Sequence, residues 1–233
     1  NDYEIELLPT TPTFLRMMSI YKEIEKQIPN SLKIISYGTE RMDQITLNIL
    51  TKKFPNIDFR QTYGMSELGI LRIKSFARDS LFMKIGGEGV ETKIIENTLF
   101  IKAKNRMIGY LNAKSPFDEY FWYCTKDLVQ TGDNGYLKII GRDNEVINVG
   151  GLKFMPHEVE IICLKFPGIK YAKAIGVSNP LTGQHVELVI EPYSNNIDNL
   201  ELKKFINLNL PKHMRPLKIR IEELKISHRF KKL

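Results

Sequence analysis

The residues of this 233-residue chain whose types and spacing could do chemistry fall into three groups. Gly38-Thr39-Glu40 and Thr62-Tyr63-Gly64-Met65-Ser66-Glu67 each follow a short apolar run, and Asp127 and Arg142 border short strands in a turn-rich stretch, 123–160. A carboxylate can accept from two ligand hydroxyls or hold a hard cation, a guanidinium offers a planar fork of donors, and glycine allows close backbone approach. Loops held by rigid elements are where such contacts gather. Each group also has a plainer reading. Tyr63 could be a core aromatic, Ser66-Glu67 a helix-capping pair, Gly38-Thr39-Glu40 an ordinary turn, and Asp127 with Arg142 an exposed salt bridge on a β-meander.

The elements that must position these residues can be read from periodicity. Pro12 opens a helix whose apolar face is Phe14, Met17, Met18, Tyr21, Ile24 and Ile28, with Pro29-Asn30 at its end. Residues 32–37 form an apolar run suited to a buried parallel strand. A second helix passes through Ile45, Ile49 and Leu50 to Pro55, and a strand over 57–61 leads into TYGMSE. Strand, turn, helix and strand in this order imply an α/β layer, whose ligands sit at the carboxyl ends of strands, where both GTE and TYGMSE lie. Between residues 81 and 140 the period becomes two, which predicts a small β-barrel or curled sheet. Gly86-Gly87-Glu88-Gly89 lacks the Lys-Ser/Thr of a phosphate loop and reads as a hairpin turn, and Thr131–Gly135 as another. After Gly141 come a helix over 156–166, strands over 172–177 and 186–191, a helix over 199–209 N-capped by Asp198, and a strand over 218–224.

Composition narrows the class. Hydrophobic residues at 42% and charged residues at 26% are ordinary globular values and exclude a disordered chain. Cys124 and Cys163 show no metal-ligand spacing and cannot make a disulfide framework, which fits a reduced, cytoplasmic compartment. No leader and no apolar run of membrane-spanning length is visible, and the first residue is Asn rather than Met, as in part of a longer polypeptide. The net charge of +7 is concentrated: residues 203–233 hold ten Lys/Arg against Glu222 and Glu223, so the remainder sums to −1. A basic tail can hold nucleic acid, but the aromatic interleaving this needs is missing, and a solvated face or a polyphosphate contact ranks ahead of it.

In this order and spacing, TYGMSE, TKDL, GYLKIIGR and INVGGLKFMPHEVE resemble the late motifs of the adenylate-forming superfamily, which contains acyl-CoA synthetases and peptide-synthetase adenylation domains. The resemblance covers nearly the whole chain. It implies the end of a large α/β AMP-binding domain over 1–141 (an α/β layer over 1–80, a β-barrel-like subdomain over 81–141), then a small mobile α+β domain over 142–233. It implies a ligase that activates a carboxylic acid with ATP and Mg²⁺ to an acyl-adenylate and passes the acyl group to coenzyme A or a carrier-protein phosphopantetheine. A non-catalytic adenylate-binding module and a basic nucleic-acid-binding protein are the alternatives.

The resemblance also implies roles. Tyr63 would lay its ring on adenine, Gly64 would let the backbone approach the nucleotide, Ser66 would bind a phosphate oxygen and Glu67 would ligate Mg²⁺. Gly38, Thr39 and Glu40 match the adenine-side turn, and Thr62, Met65 and Ile139 join the nucleotide-binding set. Asp127 would accept both ribose hydroxyls, in a segment with Lys126 where the family has Gly. Arg142 would add a donor to the ribose, Asn144 takes the hinge position, and Gly151 matches the glycine beside the pantetheine path. Ile226-Ser227-His228-Arg229-Phe230-Lys231 aligns with a C-terminal PxTxxGK segment, with Lys225 for Pro and Phe230 for Gly, which makes Lys231 the candidate catalytic amine and Lys232 its rival. The family's Gly/Ser/Thr-rich phosphate loop and most of its N-terminal domain are not among these residues, so the chain is expected to be weakly active or inactive alone.

Overall fold

The computed structural model describes residues 4–21, 23–193 and 197–223. Among these residues the chain divides into two compact units, 4–140 and 141–223.

The first unit begins with a parallel three-stranded sheet, β1 (Leu7–Thr10), β2 (Ile34–Tyr37) and β3 (Asp58–Gln61), paired in that order. Between β1 and β2 lie helices α1 (Pro12–Ile20) and α2 (Ile24–Gln27); α3 (Gln44–Lys53) joins β2 to β3. The single helix expected from Pro12 to Ile28 is broken, because Tyr21 is extended. Its apolar phase runs through the break. Ser and β-branched or aromatic residues at 19–21 are weak helix formers, and the Ser19 hydroxyl donates back to Arg16 O. Leu15, Ile35, Leu47, Leu50 and Phe59 make the core between sheet and helices.

A seven-stranded sheet follows: β4 (Tyr63–Met65), β5 (Gly69–Ser75), β6 (Met83–Gly86), β7 (Val90–Ile95), β8 (Thr98–Ala103), β9 (Tyr123–Thr131) and β10 (Leu137–Arg142). Its spatial order is β4-β5-β6-β10-β9-β8-β7. This corrects two expectations. The described strands form no closed barrel, since β4 and β7 end the sheet without pairing with each other. The Gly86–Gly89 turn also joins no hairpin: β6 pairs with β5 and β10, and the turn carries the chain to the far edge. A glycine cluster marks where a chain bends, not which strand it meets next. The β9–β10 connection at Asp133–Gly135 does join neighbouring strands.

In the second unit, β11 (Ile147–Val149) and β12 (Leu152–Phe154) form a hairpin with Gly150 and Gly151, both at positive φ, as its two turn residues. The β12 strand was not visible in the sequence pattern. Helix α4 (Pro156–Cys163), strands β13 (Ile169–Asn179) and β14 (Gly183–Pro192), helix α5 (Asn199–Asn209) and strand β15 (Lys218–Ile221) complete the unit. Asp198 caps α5 by accepting from Leu200 N and Glu201 N. Val159, Cys163, Ala172, Leu188, Ile190 and Leu202 are fully buried between helices and sheet. Burial pushes the Cys163 thiol up to about 12, with Glu160 adding to the shift, so it is an inert core group.

Candidate active site

The carboxyl ends of β2 and β3 lie side by side, and their parallel pairing continues one step past the strands. Thr62 N donates to Tyr37 O at 2.7 Å and the Thr62 hydroxyl donates to the same oxygen at 3.1 Å. Gly38 is pressed against this residue: a Cβ there would lie 2.1 Å from Thr62 Oγ1 and 2.9 Å from Thr62 O. Glycine at 38 therefore lets the two motif-bearing loops abut.

Beyond Gly38, Thr39 adopts φ 67°, in the left-handed region that a β-branched residue rarely enters. Glu40 then turns to α1, where its Oε2 accepts from Thr13 N (3.2 Å) and the buried Thr13 hydroxyl (2.7 Å). The carboxylate thus satisfies the first turn of a helix. Arg41, which sequence reasoning passed over, reaches the seven-stranded sheet and donates to Ile140 O at 2.5 Å. Partial burial, followed by the charge of Arg41, lowers Lys138 from its ordinary value beside Ile139.

TYGMSE is strand β4 followed by the β4–β5 turn. No helix follows Glu67, so the capping reading of Ser66-Glu67 does not apply. A Cβ on Gly64 would meet Gly69 O at 2.7 Å and Ile70 Cα at 2.9 Å. The close approach that requires glycine there is the one made by β5, before any ligand is considered.

Asp127 owes its direction to a break in the β8–β9 ladder, where Thr98 faces Leu128 but Phe100 faces Cys124, so β9 carries extra residues. The buried Thr125 hydroxyl donates to Leu99 O at 2.8 Å and accepts from Asp127 N at 3.0 Å. Lys126 takes φ 59°. The backbone at this position is thus left-handed, and a lysine bears it. Such a bulge re-aims the next side chain. Asp127 is buried, at 5% exposure, and accepts from the Tyr63 hydroxyl at 2.5 Å.

Glu67 has a partner that the sequence did not point to. The Tyr110 hydroxyl donates to its Oε1, and Met107 N donates to its backbone oxygen at 2.9 Å. The bond to the carboxylate, followed by slight desolvation and the carboxylate's charge, raises the Tyr110 phenol above its ordinary value. The described residues contain no group of three or more His, Cys, Asp or Glu able to hold a metal by themselves. The donor set suits a cation that takes one carboxylate and completes its shell with water and substrate phosphate, as Mg²⁺ does.

The first unit thus brings together residues 38–40, 62–67 and 127, with Ile139 on β10. Arg142 and Gly151 belong to the second unit. There Glu145 Oε2 accepts from Arg142 N at 3.2 Å, and Gly151 (φ 88°) has open space where a Cβ would stand. Lys231 and Lys232 lie outside the described residues.

No family model matches the chain. Its sequence is 26% identical over 229 residues to a 4-coumarate-CoA ligase of Narcissus pseudonarcissus, covering 88% of this chain and 42% of that protein. It is 29% identical over 202 residues to the uncharacterized acyl-CoA ligase YhfT of Bacillus subtilis, covering 80% and 40%. The solved structure of ATP-bound MatB from Rhodopseudomonas palustris has the same fold over 97% of this chain and 49% of its own, with a TM-score of 0.82 at 20% identity. The chain is related to the C-terminal part of the adenylate-forming ligases. It spans about two fifths of the length of the curated relatives cited. Those ligase relatives do not favour the adenylate-binding-module or nucleic-acid alternatives. No described helix is long and apolar enough to cross a membrane.

Proposed function

We propose that the chain is the nucleotide-holding C-terminal part of an AMP-forming carboxylate–thiol ligase of the adenylate-forming kind, acting in the cytoplasm on a carboxylic acid, ATP and coenzyme A or a carrier-protein thiol. The observation that carries this reading is the 2.5 Å bond from the Tyr63 hydroxyl to Asp127 Oδ2, made across 64 residues of sequence. It ties the aromatic of TYGMSE to the acid of TKDL beside the loop at Gly38. An aromatic face next to a buried carboxylate is what a nucleoside needs: a shelf for the base and an acceptor for its vicinal hydroxyls.

In this reading the Tyr63 ring lies on adenine, fixed by its hydroxyl, and Asp127 accepts from the ribose. Ser66 binds a phosphate oxygen, and Arg142 adds a second contact to the ribose. Gly38, Thr39, Thr62, Met65 and Ile139 wall the base and sugar. Glu67 would hold Mg²⁺, which supplies charge neutralisation at the phosphates. Lys231 is the amine that stabilises charge on the attacking carboxylate and α-phosphate, and Gly151 borders the path of the pantetheine thiol. The unit after Gly141 swivels about Asn144 between the two half-reactions. Alone, the chain binds nucleotide and catalyses carboxylate-dependent pyrophosphate exchange weakly or not at all.

Calorimetric titration with AMP tests the core of this reading. Asp127→Ala should weaken binding by about 10- to 100-fold, as expected for hydrogen bonds to a charged group. Asp127→Asn, which still accepts from Tyr63, separates lost ribose contacts from lost folding. Equal AMP affinity in all three proteins, or no binding by the parent chain, overturns the proposal.

A further inference from the structure

The segment after β8 is fastened to Glu67 twice, through Met107 N to the backbone oxygen at 2.9 Å and through the Tyr110 hydroxyl to Oε1. Little apolar burial holds residues 108–111 there: Ile108 and Leu111 are fully exposed and Tyr110 is 45% exposed. An aromatic so exposed contributes little to a core. What it does contribute is one donor, directed at one oxygen of one carboxylate. Ionised carboxylates accept through several lone pairs, so a phenol on Oε1 leaves capacity for a cation. Hydrogen bonds behind a metal ligand fix its rotamer, and losing one typically costs 10- to 100-fold in metal affinity.

We infer that Tyr110 is a positioning residue, whose hydroxyl orients the Glu67 carboxylate for the divalent cation that accompanies a nucleotide. The inference rests on the reading of Glu67 given above. It makes the segment between β8 and β9 part of the site through the Tyr110 hydroxyl. Tyr110 orients Glu67 in the ground state, so its removal should change how much metal nucleotide binding requires and leave metal-independent binding alone.

Three proteins, the parent chain, Tyr110→Phe and Glu67→Gln, are titrated with ATP at a series of Mg²⁺ concentrations, and with AMP in chelator. Mn²⁺ electron paramagnetic resonance gives a second measure of metal affinity. Circular dichroism and thermal unfolding check that each variant folds. Tyr110→Phe should raise the half-saturating Mg²⁺ about 10-fold with metal-free AMP affinity unchanged, and Glu67→Gln should raise it at least as much. If Glu67→Gln has that effect and Tyr110→Phe has none, or tightens metal binding, the positioning role is wrong and the metal-ligand reading stands. If Tyr110→Phe weakens metal-free AMP binding equally, the tyrosine merely supports the fold and the inference fails. If Glu67→Gln leaves the metal requirement unchanged, or no ATP binds, the reading of the site fails first.

Discussion

Among the described residues, every non-glycine residue with positive φ lies in the first unit: Thr39, Glu96, Asn97, Phe121, Lys126 and Asn134. In the second unit, positive φ is confined to Gly141, Gly150, Gly151, Gly168 and Gly183. Some of the difference is local. Glu96 and Asn97 form the two-residue turn between Ile95 and Thr98, and Asn134 lies in the β9–β10 turn; both settings call for such angles. Thr39 and Lys126 have no hairpin to explain them. Each immediately precedes a carboxylate of the candidate site, Glu40 or Asp127. The second unit follows the rule that glycine goes where the backbone is unusual. The first departs from it beside its buried polar contacts, as strained residues at functional sites commonly do.

If packing and polar clamps hold that strain, removing a clamp should do more harm than disturbing a relaxed turn in the second unit. Asp43, four residues after Thr39, is one such clamp. It N-caps α3 by accepting from Thr46 N at 2.7 Å and pairs with Arg16 at 2.8 Å, both side chains being nearly buried. Asp43→Ala should cost about 3 kcal/mol in urea unfolding, because it uncaps a helix and strands a buried guanidinium. A loss below about 1 kcal/mol would break the comparison. The pH dependence has a definite sign. Burial pushes the Asp43 carboxyl up, but the Arg16 charge and the bonds from Thr46 and Arg16 outweigh it and hold the group below its usual range. A depressed carboxyl stabilises above its unfolded value of about 3.9 and loses that contribution as pH falls through the folded value. Parent and Asp43→Ala should therefore converge in stability at strongly acidic pH.

Gly38 and Gly150 sharpen the contrast. Gly38→Ala puts a methyl group 2.1 Å from Thr62 Oγ1, and overpacking of this kind should cost about 2–3 kcal/mol in the same measurement. Gly150→Ala meets open space and only the left-handed backbone penalty, about 1 kcal/mol. Equal losses would mean that the loops at 38 and 62 yield as easily as a surface hairpin.

Much of the fold was legible because the signals were local. Asp198 as the cap of α5, Pro12 and Pro156 as helix openers, and the parallel strands before GTE and TYGMSE follow from composition and spacing. What failed was long-range or masked by periodicity. Nothing in Gly86–Gly89 says that β6 meets β10 across some fifty residues, and the apolar stripe through Tyr21 is the same whether or not the helix breaks there. At the site, residue types marked Tyr63, Glu67 and Asp127. Their partners were hidden, because a tyrosine in a loop has no period and a bulge has no propensity. The one available sign was Lys126 at a family glycine position.

Lys126 is also where the smallest effect is expected and where strain and site can be separated. A non-glycine residue at φ 59° is about 1–2 kcal/mol above its relaxed state, while glycine there adds about 0.5–1 kcal/mol of unfolded-state entropy to be lost on folding. Lys126→Gly should therefore stabilise the chain by about 0.5–1 kcal/mol, a shift resolvable in the urea midpoint. If the Thr125 hydroxyl and the ladder break already fix Asp127, AMP affinity should stay within about twofold, since its contacts are untouched. A stability gain with lost affinity would mean that lysine stiffens the bulge. No gain would mean that some interaction of the lysine offsets its backbone strain, and the contrast between the two units would then lie in side chains rather than in the main chain.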